Sequence, residues 1–166
     1  SRATCVSLSR VATLRGLMLQ RIDDTLWCVA APLSLLGLQI GTRMTIAKLA
    51  DGSLWVHSPV AASDALCEAV ESLGPVRHLV ASNLYHHLFV GEWKRRYPDA
   101  TLHGPMALAK KRPDLELDAH LSETPHPTWK DHFEPLHIDG SMIDETVFLH
   151  RPSRTLISSD LTENFA

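Results

Sequence analysis

Two stretches hold side chains whose types and spacing could do chemistry together. The first is Val80-Ala81-Ser82-Asn83-Leu84-Tyr85-His86-His87-Leu88. An apolar run gives way to a polar loop, and two adjacent histidines follow. Loops at the carboxyl ends of strands are where α/β folds place ligands. Imidazoles on such a loop reach a metal ion held between strand ends. The second stretch is Thr155-Leu156-Ile157-Ser158-Ser159-Asp160. A carboxylate closing an apolar strand bridges a metal or orients a bound water. Each feature alone has a plainer use: a histidine there caps or packs, and an aspartate there closes a turn. Adjacent residues on a regular helix point about 100° apart, so His86 and His87 share one ion only from an irregular first turn.

The elements that must position these residues read as α/β. Leu26–Ala31 is predicted as a strand and Pro32–Gly41 as a loop. Met44–Leu49 and Leu54–His57 form a hairpin around Asp51-Gly52, a strong turn signal. Ser63 or Asp64 caps a helix over Ala65–Leu73, which Gly74-Pro75 ends. His78–Ala81 is a short strand leading into the histidine loop, and Tyr85–Arg96 is a helix that stops before Pro98. Thr101–His103 gives a strand, and Met106–Lys111 a short helix that ends at Pro113. Residues 114–143 resist assignment apart from a strand near Phe133–Ile138. Glu145–His150 and Arg154–Ser158 make a second hairpin leading to Asp160.

Residues 1–22 stand apart. They carry Arg2, Arg10, Arg15 and Arg21, and no acid precedes Asp23. Val11, Leu14, Met18 and Ile22 share one helical face. That fits a targeting or membrane-surface helix, and equally a helical or frayed appendage. The domain proper is expected over residues 23–166.

Composition narrows the classes. The chain has 166 residues, 45% hydrophobic and 21% charged, which are globular values. A net charge of -3 argues against a generally basic nucleic-acid binder. No apolar run approaches the ~18 residues of a membrane span. Cys5, Cys28 and Cys67 are scattered, with no C-x-x-C pair, and read as small buried hydrophobes of a reducing, cytoplasmic compartment. Ten histidines are many for this length and point to metal or acid–base chemistry. No G-x-S-x-G elbow, Walker loop or G-x-G-x-x-G occurs.

The order of hairpin, helix, strand, histidine loop, helix and late hairpin ending in Ser-Asp resembles the metallo-β-lactamase superfold. Within that superfold the chain looks like an uncharacterised bacterial family of unknown function. The matching segments are Gly41-Thr42-Arg43-Met44-Thr45, Leu54-Trp55-Val56-His57-Ser58-Pro59-Val60 and Gly74-Pro75-Val76-Arg77-His78-Leu79-Val80. Asn83 through His87, Tyr97-Pro98-Asp99-Ala100 and His150-Arg151-Pro152-Ser153-Arg154-Thr155-Leu156 complete the set. The resemblance covers about residues 23–165. It implies an αββα sandwich, incomplete at the C-terminus. It also implies one divalent metal, zinc first, on His86, His87 and Asp160. His57, Ser58, Asn83, Tyr85 and Ser159 would line the pocket around it.

The departures from that superfold bear on activity. Its zinc enzymes carry His-x-His-x-Asp-His after the strand. With Ser82 on the residue before that motif, Asn83 and Tyr85 stand at the first two histidines. His87 then falls on the aspartate and Leu88 on the last histidine. A slip of one residue brings His86 or His87 onto a ligand position, and no slip restores three. The next metal histidine is due near Ser141, where His137 is close by. Only Asp160 matches, as the bridging aspartate. A two-zinc site is therefore not expected. One reading is a metal-dependent hydrolase with a non-standard single-ion site. The other is a non-catalytic binding or scaffold protein that folds as a homodimer. A small-molecule ligand suits either. In the dimer, a partner covers the sheet that the shortened sandwich leaves open. Trp93, Trp129, Phe133 and Phe165 are the apolar anchors available.

Overall fold

The computed structural model describes residues 19–35, 38–39, 41–138 and 143–160. In chain order the elements are β1 (Leu19–Asp23), β2 (Leu26–Ala31), β3 (Ser34–Leu35), β4 (Leu38–Gln39), β5 (Thr42–Lys48) and β6 (Leu54–His57). Then come α1 (Asp64–Glu71), β7 (Val76–Val80), α2 (Val90–Arg96), β8 (Thr101–Gly104), α3 (Met106–Lys111) and β9 (Ala119–His120). The chain finishes with β10 (Phe133–Ile138), β11 (Glu145–His150) and β12 (Thr155–Ile157).

A seven-stranded sheet runs β1-β2-β5-β6-β7-β8-β9, and a three-stranded sheet runs β10-β11-β12. Strands β6 to β9 are mutually parallel, so the carboxyl ends of β6, β7 and β8 share one edge. The two faces of the large sheet bury different cores. One face packs Val29, Met44, Val56 and Leu79 against Leu66 and Val70 of α1 and Trp93 of α2. The other packs Trp55 and Val80 against Trp129, Phe133, Phe148 and Ile157, which lie between the sheets. All four residues of β6 are buried as a result, as a strand covered on both faces requires. The described layers are helix, sheet and sheet.

Local chemistry explains several boundaries. Ser63 caps α1, its Oγ accepting from the Leu66 N–H at 3.3 Å. Gly52 takes φ +83° in the β5–β6 turn. A Cβ on Gly74 would lie 2.4 Å from the Gly52 carbonyl oxygen, so the α1–β7 corner passes too close for any side chain. The basic residues of α2 and α3 gather in their last turns, where the helix dipole favours cations.

The fold corrects three expectations. Leu19–Asp23 is a strand paired with β2, so Ile22 does not belong to a helical face. Val11, Leu14, Met18 and Phe165 lie outside the described residues. The helix expected over Tyr85–Arg96 begins only at Val90, and residues 84–89 form bends and turns. The loop expected over Pro32–Gly41 contains the small β3–β4 pair. Cys28 and Cys67 are buried free thiols, as expected, while Cys5 lies outside the described residues.

Candidate functional site

The site lies where β7 and β12 end. Asn83 follows β7 and is fully buried. Its Oδ1 accepts from the N–H groups of Tyr85 at 2.8 Å and His86 at 2.7 Å. This is the bonding pattern of a helix N-cap, yet residues 84–89 form bends and turns and α2 begins only at Val90. The same side chain donates through Nδ2 to Asp160 Oδ2 at 2.7 Å. The other carboxylate oxygen, Oδ1, is 3.0 Å from His86 Nε2. Asp160 is thus held from both sides by one loop.

Asp160 is fixed from behind as well. Glu145, the first residue of β11, is fully buried. Its carboxylate accepts from the backbone N–H groups of Ser159 at 2.6 Å and Asp160 at 3.0 Å. Those bonds satisfy buried polar oxygens that would be costly to leave unpaired. The hydroxyls of Ser58, Ser82 and Ser159 form a triangle with sides of 3.3, 3.0 and 2.7 Å. Ser58 reaches it from a left-handed backbone, φ 49°. Two main-chain bonds run alongside, from Thr146 N–H to the Ser82 carbonyl and from Leu84 N–H to the Ile143 carbonyl, each 3.0 Å. The large sheet supplies Ser58, Ser82, Asn83 and His86, and the small sheet supplies Glu145, Ser159 and Asp160. The site is a polar seam between them.

Electrostatics follow from this packing. Burial pushes the Asp160 carboxyl up, but the bond and charge of His86 and the Asn83 amide outweigh it. The group titrates below the usual carboxylate range. His57 is buried, with its proton affinity pushed down to about 3 by burial and then by the charge of His86. Its ring stacks on Trp55 at 5.4 Å and meets Phe148 edge-on at 5.7 Å. Its Nε2 is buried, with no hydrogen-bond partner among the described residues.

Of the residues expected here, the structure brings together His86, Asp160, Asn83, Ser58 and Ser159. His87 is placed elsewhere: its Nδ1 lies 3.0 Å from Arg112 Nη1. Burial, Arg112 and Lys111 lower its proton affinity. Tyr85 is 53% exposed, with Lys111 Nζ 4.6 Å from its ring centre. His57 belongs to the inter-sheet core beside the site. His137 pairs with Asp144 at 3.2 Å, and Ser141 lies outside the described residues. Sequence reasoning missed Glu145 and Ser82. An acid at the head of an apolar strand, next to Asp144, was the available signal for Glu145.

These residues do not fit a zinc centre. Among the described residues no three His, Cys, Asp or Glu side chains converge for a metal ion. A structural zinc takes four protein ligands and a catalytic one takes three. His86 and Asp160 supply two, and they are bonded to each other.

The fold has solved relatives. The chain superimposes on a DIM-1 metallo-β-lactamase exposed to ceftazidime with a TM-score of 0.68 and 11% identity, covering 87% of this chain and 69% of that one. TMB-1 gives 0.68 and 14% identity, with 86% and 69% covered. A metallo-β-lactamase from Pontibacter korlensis gives 0.65 and 12% identity, with 82% and 67% covered. At such identities the likeness establishes the fold alone. No curated protein matches the sequence. Residues 23–164 match a family described only as a domain of unknown function, DUF4336, and the chain belongs to that family.

Proposed function

We propose that this chain is a non-catalytic binding or scaffold domain on a metallo-β-lactamase-like frame. In this reading, protein hydrogen bonds join the two sheets at the position where zinc enzymes of the superfold carry their ions. One observation carries it: Asn83 Nδ2 and His86 Nε2 occupy both carboxylate oxygens of Asp160. His86 Nε2 has a single bonding position, so an ion could use it only after its bond to Asp160 broke, which leaves Asp160 alone as a free ligand. Asn83, Tyr85 and Leu88 offer no replacement ligand of metal-binding type at the motif positions. The exposed Tyr85 and Leu88 give the loop an apolar surface for a small molecule or a partner.

The experiment is an assay of nitrocefin and of a glutathione thioester with zinc in excess. Hydrolysis at the uncatalysed rate is expected. A metal-bound water reactive at neutral pH needs an ion held by a full ligand set. Zinc-dependent turnover abolished by His86→Ala would overturn the reading in favour of a single-ion hydrolase.

A further inference from the structure

Residues 121–132 connect β9 to β10 without a helix or strand. Connections of about twelve residues or more without structure of their own are uncommon in compact domains and are mostly functional. This one is held at both ends. The Leu121 N–H donates to the Gly104 carbonyl at 2.9 Å, and the Phe133 N–H donates to the Trp129 carbonyl at 3.0 Å. Trp129 is buried in the inter-sheet core, and Pro125 and Pro127 fix two backbone φ angles between the ends. The segment encloses an open cavity of about 210 Å³ against the carboxyl ends of β8 and β9, which supply His103 and His120. Open α/β sheets bind ligands at such strand ends.

No Asp, Glu, Lys or Arg is among the described residues that line this cavity. Three of the lining side chains form an aromatic corner. His126 and Trp129 lie 28° from parallel with ring centres 6.2 Å apart, and His103 stands edge-on to both, at 5.2 and 5.8 Å. His103 is 1% exposed, on a sheet face otherwise paved with residues such as Trp55 and Val80. A buried imidazole there is costly unless its nitrogens are paired. One is paired: Nε2 lies 3.1 Å from His78 Nδ1. That bond leaves Nδ1 as the remaining polar atom of the His103 ring. The hydrogen between the two rings can belong to either, so Nδ1 presents a lone pair or an N–H as a ligand requires. Burial, then His78 and His126, pushes the proton affinity of His103 down to about 3, so the ring is neutral at pH 7.

We propose that this cavity binds a small, neutral, planar ring compound carrying a ring nitrogen, at a site separate from the seam around Asp160. Size, shape and charge each support this. An apolar cavity of ~150 Å³ takes benzene, so one of this volume suits one ring or two fused rings. Stacked and edge-on aromatic walls hold a flat ligand by offset and edge contacts. A charged ligand would lose its hydration and meet no counter-charge. A ring without nitrogen would leave His103 Nδ1 unpaired. The pinned, proline-stiffened segment lowers the ordering cost of binding.

The test uses the full chain in neutral buffer, with benzimidazole as the probe and two-dimensional amide NMR as the readout. Saturable shifts at residues 119–129 are expected, with a dissociation constant of about 1 mM or below for a ligand of about nine non-hydrogen atoms. Indene, the same shape without nitrogen, should bind roughly fivefold more weakly, the value of one hydrogen bond. Benzoate and benzamidine should leave these signals in place. His103→Leu should make benzimidazole and indene equal. Thr124→Trp, which fills the cavity from an exposed loop position, should abolish binding and keeps the test valid if His103→Leu fails to fold. No saturable shift with benzimidazole, binding indifferent to Thr124→Trp, or benzoate bound as tightly as benzimidazole would overturn the proposal. Shifts centred on Asn83 and Asp160 would overturn it too, by placing the ligand at the seam.

Discussion

Asp160 is ionised because His86 and Asn83 hold it, and its energetics follow from that contact. Removing the carboxylate leaves a buried amide and an imidazole without their acceptor. Asp160→Ala should lower unfolding free energy by about 1–3 kcal/mol in urea titration, the usual penalty for breaking buried charged hydrogen bonds. A loss below a few tenths would contradict the assigned geometry. Histidines set the acid limit. Burial holds His57 and His103 down to about 3 and His78 and His150 down to about 4. In the unfolded chain each titrates near ~6.5. As pH falls from about 6.5 toward 4, the unfolded state binds protons that the folded state refuses, so stability is lost across that window. The depressed Asp160 adds a further loss below about 4, as the carboxylate protonates. The urea midpoint should therefore fall steadily from pH 7 to 4.5. His57→Phe should shrink that slope at little cost at pH 7, because Nε2 has no partner to lose among the described residues. A midpoint flat with pH would refute the neutral buried histidines.

At the scale of elements, legibility depended on whether the cause was local. The β5–β6 turn was readable because Asp51-Gly52 carries its own signal, and α1 because Ser63 caps it. Met106–Lys111 matched α3 residue for residue. The start of α2 was not readable. Asn83 bonds as an N-cap would, yet the chain goes on through bends and turns to Val90. The β1 strand was missed because its order comes from pairing with β2, and its own sequence mixes polar and apolar residues. Among the site residues, His86, Asn83 and Asp160 were legible from loop and strand-end position. The turning of His87 to Arg112 was not, since it depends on where α3 packs. The Gly74 corner gives a sharp test of element packing. Gly74→Ala places a Cβ 2.4 Å from a backbone oxygen that cannot move aside alone. A cost of about 1–3 kcal/mol in denaturant titration is expected, as for other overpacked sites. A neutral substitution would show that the α1–β7 corner is looser than described.

For the whole molecule, the small sheet presents an apolar outer face. Leu136, Leu149 and Leu156 are exposed there by 53%, 37% and 57%. Leu149 pairs with Leu156, so the exposed strip joins β11 and β12, while on β10 Leu136 lies opposite the buried Val147 and Glu134 opposite Leu149. Covering such surface stabilises by roughly 25 cal/mol per Å². We expect a second copy to cover it. Light scattering at micromolar concentration should then give about twice 18.4 kDa, and Leu156→Glu should return it to 18.4 kDa. A wild-type chain of 18.4 kDa at every concentration would rule this association out.

Protein hydrogen bonds from His86 and Asn83 hold Asp160 at the seam. A double-mutant cycle separates this from a metal-held seam. Unfolding free energies of the wild type, His86→Ala, Asp160→Ala and the double variant would be measured once in chelator and once in excess zinc. A coupling of about 1–3 kcal/mol, the same in both buffers, is expected for a half-buried hydrogen bond to a carboxylate. Coupling that vanishes in chelator and appears only with zinc would contradict it.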